Sequence, residues 1–449
     1  MIEAPINHTL HPTEVSGKFK TRRMVVRVLL VCSFLILPWV KIQGHQALLL
    51  DVFHRRFAIF GYLFFAQDVP LLFLLVINFV LGIALTTAFM GRIWCGWMCP
   101  QTIFIDGFFR VIEHWVEGNG LTRRKNAALP LNFERALRKT ITWGLFAACT
   151  FVITHSFLAI FIGREQLLKE VQSPISESPA SFLFILIANT ILLIDFGWLR
   201  EQFCMIACPY GKFQSVLQDR FTVSVTYHQQ RGEPRRQGGD CVDCNRCVTV
   251  CPTGIDIRNG SQLECIACTA CMDACNDVMV RLKKKPALIG YYSESQVLGQ
   301  PQKWIRPRVA IYIALITIFG SVGFYQWMIL KPFEVMIYKT KGAPFGVIAD
   351  AAGTSKITNL FTTELSNKSA DPILIELKAP AQSELKLIMP NNPVTVQEGK
   401  VFSNPMTIEF DRQRLKLGSA DSQIEINVKN LVTGQEWDRV EKIHLIGPF

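Results

Sequence analysis

The sequence predicts a polytopic α-helical membrane protein with two attachments, a cysteine-rich insert and an all-β C-terminal domain. Three observations carry that expectation: long apolar blocks, two identical cysteine runs inside one polar loop, and a final stretch where apolar and polar residues alternate. Half of the 449 residues are hydrophobic. They gather in blocks instead of lining alternating faces, which is the distribution of a membrane protein.

A helix needs about 20 mainly apolar residues to cross a bilayer. Five stretches approach or meet that length: Val25 to Val40, Pro70 to Phe89, Ile141 to Ile162, Phe182 to Leu199 and Val309 to Leu330. The first reads as a retained anchor, because a long polar tail precedes it and no small-residue cleavage site follows. Five crossings put the termini on opposite sides, and the Lys/Arg bias of short loops decides which side is which. The tail before the first span carries Lys18, Lys20, Arg22 and Arg23; the second loop carries Arg110, Arg123, Arg124, Lys125, Arg135, Arg138 and Lys139. Both are expected in the cytoplasm. The loop Gly163 to Ser181 balances Arg164 and Lys169 against Glu165, Glu170 and Glu177, and fits the outside. Arg55 and Arg56, in the loop Lys41 to Gln67, weaken the bias without reversing it. The net charge of +11 reads as topology and contact with anionic headgroups. No recognition motif accompanies the basic residues, so a nucleic-acid role has no support.

The expected organisation is a cytoplasmic tail over 1–23, a four-span region over 24–199, a cytoplasmic region over 200–308, a fifth helix over 309–330 and an external domain over 331–449. All fourteen cysteines lie at or before Cys275, so the external domain has none for disulfides. The others need a reducing-compartment explanation such as metal binding or redox work.

Within the large loop, at about 232–290, Cys241, Cys244, Cys247 and Cys251 are spaced x2, x2, x3 and followed by Pro252. Cys265, Cys268, Cys271 and Cys275 repeat the spacing. Two such runs are the pattern of two-cluster bacterial ferredoxins, in which the fourth cysteine of each run ligates the other run's cluster. The expected cofactors are therefore two [4Fe-4S] clusters. One takes Cys241, Cys244, Cys247 and Cys275, and the other takes Cys251, Cys265, Cys268 and Cys271. The competing reading is a pair of zinc knuckles, against which eight cysteines in two matched runs argue.

A second constellation follows the second and fourth spans: Cys95-x3-Cys99-Pro100 at 95–100 and Cys204-x3-Cys208-Pro209 at 204–209. Sulfurs four residues apart share a helix face, but the proline pushes the residue before it out of the α region. A kinked helix end leaves the thiols able to turn toward a ligand. Soft sulfur donors, with Met98 and Met205 beside them, favour Cu(I) or an iron-sulfur cluster. The bland alternative is that buried cysteines fill space as small apolar residues; two matched pairs at matched depth argue against it. Cys32 and Cys149, each alone within a span, read as packing. His54 and His155 lack ligand spacing and read as ordinary histidines. Trp94 and Trp97 fit an interfacial belt. The run Lys283-Lys284-Lys285 reads as a solvated face, with docking of an acidic redox partner as the alternative.

The tail after Leu330 changes character. Ile373 to Lys378, Glu384 to Ile388, Met406 to Phe410 and Gln423 to Lys429 alternate apolar and polar residues between turns such as Pro390-Asn391-Asn392-Pro393 and Gly418. Alternation of this kind over about 100 residues predicts an immunoglobulin-like sandwich used for docking.

The whole order resembles the cytochrome oxidase accessory family CcoG, also called FixG or RdxA. The resemblance covers essentially the full chain and rests on Trp94-Cys95-Gly96-Trp97-Met98-Cys99-Pro100, on Cys204-Met205-Ile206-Ala207-Cys208-Pro209-Tyr210-Gly211 and on the eight-cysteine insert. NapH-type membrane ferredoxins share the spans and the insert but are usually shorter and lack the sandwich. The resemblance implies a bacterial inner-membrane protein with periplasmic C-terminal domain that reduces Cu(II) to Cu(I) for the copper centre of cbb3-type oxidase. Copper would be substrate or transient ligand at Cys95, Cys99, Cys204 and Cys208, and oxidase assembly factors or copper chaperones would be partners, with the electron donor unidentified. Alternatives are a quinol-oxidising electron-transfer subunit, a redox-dependent assembly scaffold, and a third cluster at the four membrane cysteines. A homodimer is also compatible with the sequence.

Overall fold

The computed structural model describes residues 11–42, 44–52, 56–65, 68–130, 132–174, 176, 179–349, 355–369, 371–380, 383–415 and 418–448. His54, Arg55 and Glu177 lie outside them. The chain divides into two units, one dominated by helices and one by sheet.

In the first unit, α1 spans Lys18–Ile36, α2 Val69–Met90, α3 Phe133–Ile162 and α4 Pro179–Ile194, with α4 continuing as a π-helical turn over Asp195–Leu199. The helix α5 spans Ala270–Arg281, and α6 spans Pro307–Met328. Four helices are long and apolar enough to cross a membrane: α2, α3, α4 with its continuation, and α6. Only 6% of α2 and of α6 is buried against protein, against 50% of α3. The outer helices therefore present apolar faces suited to lipid, while α3 packs against α4 and α1. Phe104, Ile105, Phe109, Phe146, Ile153 and Phe196 form the core at this end of the bundle.

The first expected span differs from the other four. Lys18, Lys20, Arg22, Arg23 and Arg27 occupy its first turns, and the helix stops before Pro38. Arg23 and Arg27 turn to Asp106 at 2.9 and 3.4 Å, so this half of the helix belongs to a polar site instead of a lipid-facing stretch. The tail before it is also fixed. The Thr13 amide donates to the Thr249 carbonyl at 3.0 Å, and the Phe19 and Lys20 amides donate to Asp273 at 3.2 and 2.8 Å. Asp273 thereby satisfies amides that the start of a helix leaves open.

Between α4 and α6 lies the cysteine-rich module. A two-stranded antiparallel ribbon, β1 (Ser224–Tyr227) and β2 (Ile289–Tyr292), closes it, pairing Val225 with Tyr291. Its core is Val225, Tyr227, Ile257, Met272, Met279, Leu288 and Ile289, mixed with cysteines.

The second unit is a sandwich. Its strands are β3 (Phe333–Lys339), β4 (Gly346–Ala349), β5 (Ser355–Asn367), β6 (Ile373–Lys378), β7 (Lys386–Ile388), β8 (Val394–Val396), β9 (Val401–Asp411), β10 (Ser419–Asn430) and β11 (Glu436–Ile446). One sheet has the order β7-β9-β5-β3 with β4 also on β5; the other has the order β8-β6-β10-β11. In β10, Ile424, Ile426 and Val428 are buried while Gln423 and Glu425 are exposed, the alternation of a one-sided antiparallel sheet. This unit also contains a short hairpin, Arg56–Ile59 with Tyr62–Phe64, which lies in a loop where no strand was expected.

Candidate metal centre

The two cysteine runs adopt the same backbone path. Asp243 and Asn245 in the first run have φ of 56° and 57°; their counterparts Ala267 and Thr269 in the second have 53° and 61°. A left-handed non-glycine residue costs about 1–2 kcal/mol. Four of them at matching positions persist only where the surroundings fix the chain. The turns wrap each run around a cavity. One cavity is lined by Cys241, Cys244, Cys247 and Cys275, and the other by Cys251, Cys265, Cys268 and Cys271, with Cys247 at its edge. The fourth cysteine of each run thus faces the cavity of the other run.

These donors fit iron-sulfur clusters better than single ions. Four thiols around a cavity suit a larger polynuclear group. Burial pushes the thiols of Cys247 and Cys265 up to about 11 and those of Cys268 and Cys275 up to about 12. Such a set becomes thiolate only with a cationic group to bind.

The two Cys-x3-Cys-Pro segments form a second site against the second cavity. Cys95 lies in the short helix Ile93–Trp97 and Cys204 in Glu201–Ile206. Cys99 and Cys208, each before proline, are extended at φ −65°, ψ 128° and φ −69°, ψ 107°, and each starts the next short helix. The kink brings the four thiols within mutual electrostatic reach. Cys95, Ile266 and Cys268 form one buried cluster with Cys204 and Ala270 packed against it, so the membrane thiols share a core with a cysteine of the second cavity.

That contact depends on Gly96. A Cβ there would lie 2.4 Å from the Ala267 carbonyl oxygen, so only glycine admits the approach. Arg23 ties the seam from the other side. Its guanidinium donates to the Gly96 carbonyl at 2.9 Å, the Cys268 carbonyl at 2.7 Å and Asp106 at 2.9 Å. The Cys95 thiol donates to Gln214 Oε1 at 2.9 Å, while Gln214 Nε2 donates to Thr87 at 3.0 Å and Tyr210 at 3.3 Å. Burial pushes the Cys95 thiol up to about 11 and the Cys204 thiol higher still.

A buried ion network holds the segments beneath. Asp106, in the π-helical turn Ile105–Phe109, faces Arg23, Arg27 and Arg110; Glu201 faces Arg110; Glu113 faces Arg123 and Arg200. Burial pushes the Asp106 carboxyl up, but Arg110, Arg23 and Arg27 together hold it down at about 2. Sequence reasoning read Arg23, Arg110 and Arg123 as topology signals and missed Arg27, Arg200, Asp106, Glu201, Gln214 and Arg92. A π-helical turn has no sequence signature, although such turns concentrate at functional sites.

The remaining candidates are placed as follows. Cys149 packs in the aromatic core and Cys32 is exposed on α1. His155 stacks on Phe151 and has Nδ1 2.8 Å from its carbonyl, an ordinary helical contact. Trp97 donates to the Tyr291 hydroxyl at 3.2 Å, inside the module seam, whereas Trp94 meets Phe79 edge-on. Lys284 is not a solvated charge: it caps the Gly239 and Asp240 carbonyls at 3.1 and 3.0 Å.

Fold and site together define a membrane-bound iron-sulfur electron-transfer protein. Residues 199–294 match the 4Fe-4S dicluster domain, residues 72–119 a 4Fe-4S binding domain, and residues 324–448 the Ig-like fold at the C-terminal of FixG. The chain belongs to the FixG/RdxA family. It is 30% identical over 387 residues to protein RdxA of Cereibacter sphaeroides, covering 81% of this chain and 80% of that one. RdxB of the same organism is 29% identical over 409 residues, 86% and 84% of the two chains. The nitrogen fixation protein FixG of Rhizobium meliloti is 32% identical over 302 residues, 63% of this chain and 56% of that protein.

Proposed function

We propose that this protein is a cupric reductase: it passes single electrons to Cu(II) at Cys95, Cys99, Cys204 and Cys208, yielding Cu(I) for the copper centre of a cbb3-type oxidase. The observation that carries the reading is the buried cluster that Cys95 and Cys204 share with Ile266 and Cys268, which supports a soft-metal site next to a cluster site. When bound, two [4Fe-4S] clusters, ligated as the crossed cysteine sets above, store one electron each. The chain's own residues do the rest. Four sulfurs favour the softer reduced ion, Gln214 orients the Cys95 thiol, and Gly96 with Arg23 keeps the two sites in register. Each electron delivered converts one Cu(II) to Cu(I), and the thiols that take the ion release their protons as they bind it.

In this reading the tail, the module and the membrane thiols face the cytoplasm of a bacterial inner membrane, from the basic residues around α1 and in the second loop, with the apolar second half of α1 as the fifth crossing. The sandwich faces the periplasm and contacts oxidase assembly factors or copper chaperones. The test is anaerobic reduction of Cu(II) by pre-reduced protein, comparing wild type with Cys95→Ala/Cys99→Ala. Fast Cu(I) formation lost in the variant, with both clusters retained, supports the proposal; equal rates reject the membrane thiols as the site.

One observation favours a second reading. The 4Fe-4S binding match over 72–119 contains Cys95 and Cys99, so the four membrane thiols would hold a third cluster. Iron analysis decides: about twelve irons per chain for three clusters, about eight for two.

A further inference from the structure

The two cluster cavities differ in the charges around them. Beside the second, Arg92 is only 7% exposed; it donates to the Leu263 carbonyl, and its Nε has no partner. Its charge acts on both Cys265 and Cys95. Among the described residues Arg92 has no ion-pair partner. Arg23, which reaches the Cys268 carbonyl, shares Asp106 with Arg27 and Arg110, so one carboxylate faces three guanidinium groups. Glu201 gives Arg110 a second partner. Asp273, the acid closest in sequence to Cys271, is engaged by the first amides of α1.

Around the first cavity the one buried arginine is matched. Arg258, beside Cys247, is held by Asp243 at 2.5 Å and Asp256 at 2.7 Å. Toward solvent, Arg246 shares Asp277 with Arg281, Arg231 shares Asp240 with Lys284, and Arg236 also reaches Asp243. Among the described residues, a buried guanidinium is thus without an acid partner at one cavity and held by two acids at the other.

We propose that Arg92 and Arg23 are positioning residues for the electron: they make the cluster site of Cys251, Cys265, Cys268 and Cys271 its preferred seat, next to the membrane thiols. The inference rests on the reading above that both cluster sites are filled and feed Cys95 and Cys204. Reduction adds one negative charge to a cluster. A guanidinium, which never loses its proton, stabilises that charge strongly in a poorly solvated setting. Net charge and exposure are known levers on cluster potential. Transfer between the two sites oxidises one cluster and reduces the other by a single electron, with no proton and no further reactant.

The test is a redox titration of the full-length protein followed by electron paramagnetic resonance, on wild type, Arg92→Gln and Arg92→Lys. In wild type the cluster of the second run is expected to take the first electron. Arg92→Gln should lower that cluster's share of the electron about tenfold, a drop of about 59 mV for a one-electron centre. The other cluster should move far less, and Arg92→Lys should keep most of the wild-type value because the charge remains. Iron content and signal amplitude verify that each variant is loaded; if Arg92→Gln does not load, Arg23→Gln makes the same measurement from the opposite side of the seam. Equal potentials in wild type, or a Gln variant that shifts neither cluster or both alike, overturns the inference. Those results leave the carrier reading in place, which falls separately if pre-reduced protein leaves Cu(II) unreduced.

Discussion

Two sets of cysteines sit side by side in this protein and are built in opposite ways. The eight module cysteines are aimed by backbone: paired left-handed residues at 243, 245, 267 and 269 curl each run around a cavity that a cysteine of the other run completes. The four membrane cysteines are aimed by side-chain packing at kinked helix ends, and one of them is already engaged, with its thiol hydrogen-bonded to Gln214. A site fixed by backbone commits to one large group. A site fixed by movable thiols at helix ends suits a ligand that arrives and leaves.

The sharpest way to break this comparison is to remove one crossed ligand. Cys251→Ala deletes a residue of the first run but should abolish the cluster of the second run, lowering iron by roughly half. The surviving resonance should be that of the Cys241, Cys244, Cys247 and Cys275 site. Loss of that signal instead would show that each run binds its own cluster. A smaller effect is expected from Gly96→Ala. The added Cβ would meet the Ala267 carbonyl at 2.4 Å, and relief of such overpacking costs about 1–3 kcal/mol. The seam should open while both clusters stay loaded. Copper reduction should slow by about tenfold or more, as small misplacements of reacting groups do. An unchanged rate with full cluster signals would mean that the buried cluster of Cys95, Ile266 and Cys268 is not the route.

How much of this could be read in advance follows from what each feature depends on. The cysteine runs were legible because ligand spacing is local, and the sandwich was legible because burial in β10 alternates with the period of the chain itself. Four membrane helices were legible from composition. The fate of α1 was not. Its basic residues look like a topology signal, and only the fold reveals that Arg23 and Arg27 end on Asp106. Gly96 likewise looks like any glycine between two aromatics until the module's backbone is seen against it. The pairing of Gln214 with Cys95 joins residues 119 positions apart, beyond any local pattern. What sequence missed is the joining of module to membrane, which is made by long-range contacts.

The smallest effect expected concerns the tail that crosses that same seam. His11 is buried, and burial first, then the Arg123 charge, pushes its imidazole down to about 4 from 6.5. Arg200 and Lys139 act in the same direction, and Glu113 opposes them. With the docked value below the free one, the undocked tail binds more protons between those two pH values, so docking strengthens as pH rises through that window. It should be complete above about 6.5 and weaken progressively toward 4. Hydrogen exchange at the Thr13 amide, which donates to the Thr249 carbonyl at 3.0 Å, reads the docking directly. Its protection relative to module amides should fall as pH is lowered over that range, and His11→Phe should flatten the dependence. If protection falls equally in His11→Phe, the acid sensitivity arises elsewhere in the buried network, and the tail is held by its backbone contacts alone.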